Sequence, residues 1–385
     1  MMNILHRLIF LSISYLLLTT TISCSNDDIT DAIYITGTEQ NPLVTLSAED
    51  GVASRTALSV SASQQVTRTT TIKLRLAPEL IEQYNKTSGK NYVPVPTGDF
   101  ELTANEVSIA AGTNVSNSVN FQVNSTKNFK TGTSYMMAVT IESSDGDLPI
   151  LEASRTIYYV VKPVVIQSVA SLTGTYFEPD FSEKNAARLT NLSQVSMEAR
   201  VYVNNFASSS PFISSVMGIE EHFLLRFGDV TIAPNQIQRA GMVALTAPQG
   251  LATRTWYHIA LVHDVSTTRL YVDGVLAASI ADNNNINILK TLGSGAYGTG
   301  FLIGASAGGR YLDGMISEAR LWSKALTQNE IIDGMCGVDP TSKGLEAYWK
   351  FNEGSGNIAS DISGNGHHAK ASRNVTWVPN IRCKN

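Results

Sequence analysis

From Ile33 onward, hydrophobic and polar side chains alternate with a period of two, the pattern of strands that bury one face and wet the other. In "TIKLRLA", Ile72, Leu74 and Leu76 share a face opposite Lys73 and Arg75, and in "SVNFQVN", Val119, Phe121 and Val123 oppose Asn120 and Gln122. Further along, "SMEARVYV" sets Met197, Ala199, Val201 and Val203 against Ser196, Glu198, Arg200 and Tyr202. "LEAYWKF" sets Leu345, Ala347, Trp349 and Phe351 against Glu346, Tyr348 and Lys350. In both, the second set is expected to face water. Asp273-Gly274 in "RLYVDGVLAAS" tolerates the positive φ angles of a tight turn and predicts a hairpin. Helices are scarce. Pro78 suits the first helical position of "APELIEQYN", with Leu80, Ile81 and Tyr84 on one side, and Thr327 with Glu330 forms a capping box that starts a short helix ending near Gly334. Pro163, closing "RTIYYVVKP", marks a boundary. The expectation is an all-β chain of two sandwiches in series, residues 33–163 and 172–385, with a linker at 164–171.

Composition supports packed domains: of 385 residues, 43% are hydrophobic and 16% charged. The 28 basic and 33 acidic residues leave a net charge of −5, with no basic stripe to follow a phosphate backbone, so nucleic acid is not an expected partner. His6 and Arg7 precede the apolar run "LIFLSISYLLL", too short to span a bilayer and suited to a secretory leader. In "TISCSNDD", Ile22 and Ser23 before Cys24 resemble the lipobox of bacterial lipoproteins, although Thr21 stands where Leu is usual. Residues 1–23 thus read as a lipoprotein signal peptide, 24–32 as a linker and Cys24 as the acylated residue. An ordinary leader cleaved elsewhere is the competing reading. Asp27 and Asp28 resemble an acidic export signal, which implies a lipid-anchored protein of the outer membrane, exposed at the cell surface. Cys336 and Cys383 then remain as an even pair in an oxidising compartment and are expected to form a disulfide, worth about 4 kcal/mol by chain entropy; two free thiols are the alternative.

Four ordered motifs in the second block carry a resemblance: "TWYHIALVHD" (Thr255–Asp264), "RLYVDGVL" (Arg269–Leu276), "GGRYLDGMISEARLWSKALTQNEI" (Gly308–Ile331) and "YWKFNEGSGNIASDISGNGHHA" (Tyr348–Ala369). This block resembles the laminin-G-like, concanavalin A-like jelly rolls. The first block, through "LIEQYNKTSGKNYVPVPTGDFEL" and the "VSIAAGT" that follows, resembles the Ig-like N-terminal domain of glycan-foraging surface lipoproteins. The resemblance implies an Ig-like β-sandwich followed by a jelly roll. It also implies a non-catalytic glycan-binding lipoprotein that captures oligosaccharide or polysaccharide for a starch-utilisation-type uptake system. Its partners would be the glycan, the outer membrane and a porin-like transporter complex. The alternatives are a structural or adhesive surface protein that binds another protein, and a glycoside hydrolase.

Candidate chemistry is sparse. In "DISGNGHHA", Gly364 and Gly366 permit a tight loop beside the Asp361 carboxylate. In the resembling jelly rolls such a loop often holds calcium, which names Asp361 and Asn365 as ligands of a calcium cofactor. A plain turn, with Asp361, Ser363 and Asn365 bonding their own backbone, stays open beside it. His367 and His368 are adjacent and point to opposite faces, which argues against zinc. His258 and His263 are read as packed histidines. "GASAG" (Gly304–Gly308) matches a nucleophile elbow and "GSGAYG" (Gly293–Gly298) a dinucleotide fingerprint, but neither opens a helix, so both are read as loops. Hydrolysis of a glycosidic bond needs two carboxyl groups flanking it, and no strand supplies the expected run of acids: Glu198 stands alone, Glu318 is read as an ion pair with Arg320, and Glu220 and Glu221 are adjacent. Sugar recognition needs an aromatic face and polar groups on loops. Tyr297, Arg310 with Tyr311, and Phe177 with Asp180 are the candidates.

Overall fold

The structure, a computed structural model, describes residues 31–182, 186–290 and 300–383. The leader, Cys24, Tyr297 and the "GSGAYG" loop lie outside the described residues. In the first domain, strands Leu43–Ala48, Thr156–Pro163, Tyr135–Ser144, Thr70–Leu76 and Glu106–Ile109 hydrogen-bond in that order. A three-stranded sheet, Ser54–Leu58, Val119–Val123 and Phe100–Leu102, packs against it. Alternation works here as expected: Ile72, Leu74, Val119, Phe121 and Val123 enter the core, where the Phe121 ring stacks on Tyr159 at 4.7 Å. Helix α1 (Leu80–Ser88) begins two residues after Pro78 and ends at Gly89 in the left-handed conformation, φ 65°. Its Ile81 seats on Met136 and Val160.

The second domain stacks two eight-stranded sheets. One runs Val275–Ala281, Thr267–Val272, Trp256–Asp264, Gln194–Asn205, Asp313–Trp322, Val165–Ser171 and Trp377–Cys383, with Leu345–Trp349 also paired to Asp313–Trp322. The other runs Leu245–Gly250, Ile232–Gly241, Phe223–Asp229, Ser214–Ile219, Leu302–Ile303, Phe177–Pro179, Ala369–Ala371 and Ile358–Ala359. Met197, Ala199 and Val201 from the first meet Phe223, Leu225 and Phe227 from the second in one core. The Asp273-Gly274 hairpin forms with φ angles of 47° and 75°. The "GASAG" segment leads into the strand Asp313–Trp322 through a single 3-10 turn.

Two expectations change. Residues 165–171, expected inside a linker, are a strand of the second domain, paired between Asp313–Trp322 and Trp377–Cys383, so a single residue, Val164, joins the sandwiches. The faces expected to be wet are also buried: Ser196, Glu198, Glu346 and Tyr348 are all 5% exposed or less. The chain between Trp322 and Leu345, carrying helix α2 (Gln328–Asp333), folds back over this face and adds a second apolar layer of Trp322, Leu326, Ile331, Val338 and Tyr348. Most of the polar side chains beneath it find partners within the protein, although Glu198 Oε1 and Arg320 Nε make no hydrogen bond among the described residues. Ser196 Oγ accepts from Leu326 N at 3.0 Å, Trp322 Nε1 donates to Glu198 at 2.7 Å, and Arg320 lies between Glu198 and Glu318 at 3.4 and 3.6 Å.

The domains meet along a close seam. Val164 N donates to Ala48 O at 2.7 Å, Arg382 pairs with Glu49 through both guanidinium nitrogens, and Lys90 reaches Asp333 at 3.6 Å. At Gly132, φ +74°, a Cβ would fall 2.0 Å from Asp339 N, so only glycine lets the two backbones approach. Next to this contact, Cys336 and Cys383 form a disulfide with Cα atoms 5.7 Å apart.

Candidate functional site

Strand parity decides which residues around position 177 can meet a ligand. Phe177 points inward, is fully buried and packs edge-on against Phe351 at 4.9 Å. It is a core residue, which corrects its nomination as a sugar contact. Tyr176, one residue earlier, points the other way, and its ring lies nearly parallel to that of Tyr311, with centroids 6.1 Å and planes 29° apart. Tyr311 as a whole is 40% exposed. Ser372 holds the Tyr176 backbone at both ends, its Oγ accepting from Tyr176 N and its N donating to Tyr176 O.

Asp313, two residues beyond Tyr311, anchors a polar fan on the same loops. Its Oδ1 accepts from Thr173 Oγ1 at 2.7 Å and Asn204 Nδ2 at 3.1 Å, and its Oδ2 accepts from Asn205 Nδ2 at 2.8 Å. Burial works to raise the Asp313 carboxyl, but donation by Asn205, Thr173 and Asn204 outweighs it and holds the group below the ordinary carboxylate range. The side chain is therefore an anion at neutral pH that fixes two carboxamides.

Behind Tyr311, Arg310 bonds Glu220 at 2.8 Å, and Arg226 reaches the same Glu220 oxygen at 3.1 Å while pairing with Asp229. Glu220 is 2% exposed, and its other oxygen has no hydrogen-bond partner among the described residues. Ser215 N donates to Arg310 O, and the Ser215 and Ser306 hydroxyls bond each other at 2.7 Å, which pins the loop that carries both Arg310 and Tyr311. The result is two aromatic faces, a fixed carboxylate and oriented amides at one end of the sandwich.

The other nominated residues lie elsewhere. Asp180 is exposed at the far end of the strand Phe177–Pro179, where its Oδ1 accepts from Ser182 N at 2.8 Å, so it is not part of this surface. Asp361 is a turn former: Oδ1 accepts from Tyr348 N and Ser363 N, and Oδ2 from His367 N, all at 2.9 Å. The Asn365 amide donates to Leu345 O and Glu346 O. Calcium needs six to eight inward oxygens, whereas here the carboxylate is taken by amide protons and the carboxamide turns N–H toward carbonyls. The loop does not fit calcium, and the described residues contain no cluster of three or more His, Cys, Asp or Glu suited to a metal. His367 is buried with Nδ1 3.1 Å from Asp180 O, and His368 Nδ1 accepts from Asp361 N. Sequence reasoning missed Tyr176, Asp313, Asn204 and Asn205. The alternation Tyr176-Phe177-Glu178-Pro179 carried the signal for the first, and nothing local marked the two asparagines.

Comparison with known proteins bears on the fold. Residues 180–332 match the family described as the concanavalin A-like lectin/glucanases superfamily, in its laminin-G form, and residues 27–148 match an N-terminal domain family. No curated protein matches the chain. A candidate carbohydrate-binding protein from Bacteroides ovatus has a similar structure, with TM-score 0.60 and 23% identity over 92% of this chain and 99% of its own. More distant are a two-domain protein of unknown function from Bacteroides fragilis (TM-score 0.30, 13% identity, 68% of this chain and 94% of its own) and the sialidase CBM40 of Ruminococcus gnavus bound to α2,3-sialyllactose (TM-score 0.31, 17% identity, 44% and 95%). With two stacked sheets, the four ordered motifs and the family match in agreement, the C-terminal half of the chain is a laminin-G-like domain of the concanavalin A-like lectin/glucanases superfamily, carried behind a separate N-terminal β-sandwich.

Proposed function

We propose that the protein binds glycan without cleaving it, and that the end surface built from Tyr176, Tyr311, Asp313, Asn204 and Asn205 is where the sugar sits. The observation that carries this reading is the nearly parallel pair of half-buried Tyr176 and exposed Tyr311 beside the Asp313 fan. Aromatic faces accept the C–H surface of a pyranose, and fixed carboxylate and amide groups bond its hydroxyls. The resemblance to a candidate carbohydrate-binding protein of Bacteroides ovatus along nearly the whole chain supports the same reading.

A hydrolase needs two carboxyl groups flanking an accessible bond. Glu198 and Glu318 share a sheet face, but each is 1% exposed, is bonded to Arg320 and lies under the layer that carries α2. In this proposal the chain is acylated at Cys24 and held at the outer-membrane surface, where it passes captured oligosaccharide or polysaccharide to a porin-like transporter. Affinity electrophoresis through neutral and acidic polysaccharides, with a glycan array, tests the binding. Tyr176→Ala with Tyr311→Ala is expected to weaken affinity at least about tenfold, or about 1.4 kcal/mol. Turnover of an oligosaccharide by the purified protein, or wild-type protein that binds no sugar, overturns the proposal. Incorporation of labelled fatty acid that Cys24→Ala abolishes tests the anchor.

A further inference from the structure

We propose that the seam between the two domains is a second carbohydrate subsite, to which the N-terminal sandwich contributes half of the wall. This extends the glycan-binding reading and rests on it. A groove of about 640 Å³ runs along the seam, within the size range of small-molecule sites and at a domain interface, where such sites concentrate. Lys90, Asn91 and Tyr92 line it from the first domain, with Thr133, and Asn329, Glu330 and Asp333 from the second. It continues past Asn91 and Asp333 into a further 290 Å³ bordered by Lys324 and Asp339.

The walls are held before any ligand arrives. The Asn85 carboxamide donates to Tyr92 O at 2.8 Å and accepts from Tyr92 N at 2.9 Å, which fixes the loop leaving α1. The Tyr92 ring packs beside Tyr84, 6.1 Å between centroids, and is half-buried. Opposite, α2 is set by its capping box, with Thr327 Oγ1 accepting from Glu330 N and Glu330 accepting from Thr327 N. The Gly132 approach to Val338 and Asp339 fixes the spacing between the two walls.

What lines the groove suits a neutral polyhydroxylated chain. The exposed carboxamides of Asn91 and Asn329 face the groove from opposite domains and make no hydrogen bond to described residues, so each offers a donor pair and an acceptor to vicinal hydroxyls. Lys90 and Asp333, 3.6 Å apart, are beyond good hydrogen-bond distance, and Glu330, paired with Lys324 at 2.7 Å, adds a second carboxylate to the lining, so the groove carries no excess of positive charge to select an acidic sugar. The edge of Tyr92 supplies the apolar contact. A chain lying here touches both sandwiches.

The experiment is affinity electrophoresis of the whole protein through gels containing glucan, mannan, galactan or xylan, with four proteins compared: wild type, Asn91→Ala/Asn329→Ala, Tyr176→Ala/Tyr311→Ala, and the quadruple variant. Asn91 and Asn329 are exposed and unbonded, so their variant is expected to melt as the wild type does, checked by circular dichroism. For at least one polysaccharide, the tyrosine variant is expected to keep part of its retardation, the asparagine variant to lose threefold or more in affinity, and the quadruple variant to run freely. Unchanged affinity in the asparagine variant, with retardation lost in the tyrosine variant, overturns the seam subsite and leaves the end surface standing. Wild-type protein unretarded by every polysaccharide overturns both.

Discussion

At the scale of single residues, buried ionisable groups separate structural from ligand-facing chemistry. His222 is 3% exposed, its Nε2 accepts from Asn287 N at 3.0 Å, and burial followed by the nearby Lys290 and Arg239 cations lowers its pKa to about 4. The unfolded chain takes up that proton near pH 6.5, so the neutral ring contributes stability that is full above pH 6.5 and is lost as pH falls toward 4, by about 3 kcal/mol at most. Urea denaturation at pH 7 and pH 4.5 is expected to show this loss, and His222→Gln to flatten it. Glu198→Ala leaves the Arg320 cation short of a partner in the interior and is expected to cost about 3–5 kcal/mol by the same measurement. Legibility at this scale turned on parity. The segment holding Arg310 and Tyr311 was readable as a surface loop, but choosing Phe177 over Tyr176 placed the aromatic on the wrong side of its strand. The Asp313 fan draws on loops more than a hundred residues apart, and no local spacing announces it.

At the scale of elements, the alternating strands, the Asp273-Gly274 hairpin and the capped helix near Thr327 were all legible, because each depends on neighbours two to four residues away. Thr327→Ala removes one half of the box and is expected to lower stability by about 1 kcal/mol, read as a small drop in melting temperature. The second layer over the Glu198 face was not legible. An amphipathic strand looks the same whether its polar face meets water or a later segment, and only the fold-back through Leu326, Ile331 and Val338 settles which. The strand at 165–171 was hidden for a related reason. Pro163 reads as a terminator, yet the chain passes from one sheet to the next across one residue without breaking pairing on either side.

At the scale of the whole molecule, the seam makes the two sandwiches one body. Gly132→Ala forces a methyl group into the Asp339 backbone and is expected to split a single calorimetric transition into two, with the second sandwich otherwise intact. Reducing Cys336–Cys383, which closes 47 residues, is expected to lower the melting temperature of the C-terminal half, by up to about 4 kcal/mol in stability. The one-residue junction also governs how the protein can be dissected. A fragment begun at Leu172 would lack the ribbon that sits between Asp313–Trp322 and Trp377–Cys383, leaving two raw backbone rims facing an empty slot. Such rims recruit any free strand, so that fragment should clump in solution, while one begun at Val164 should stay dispersed.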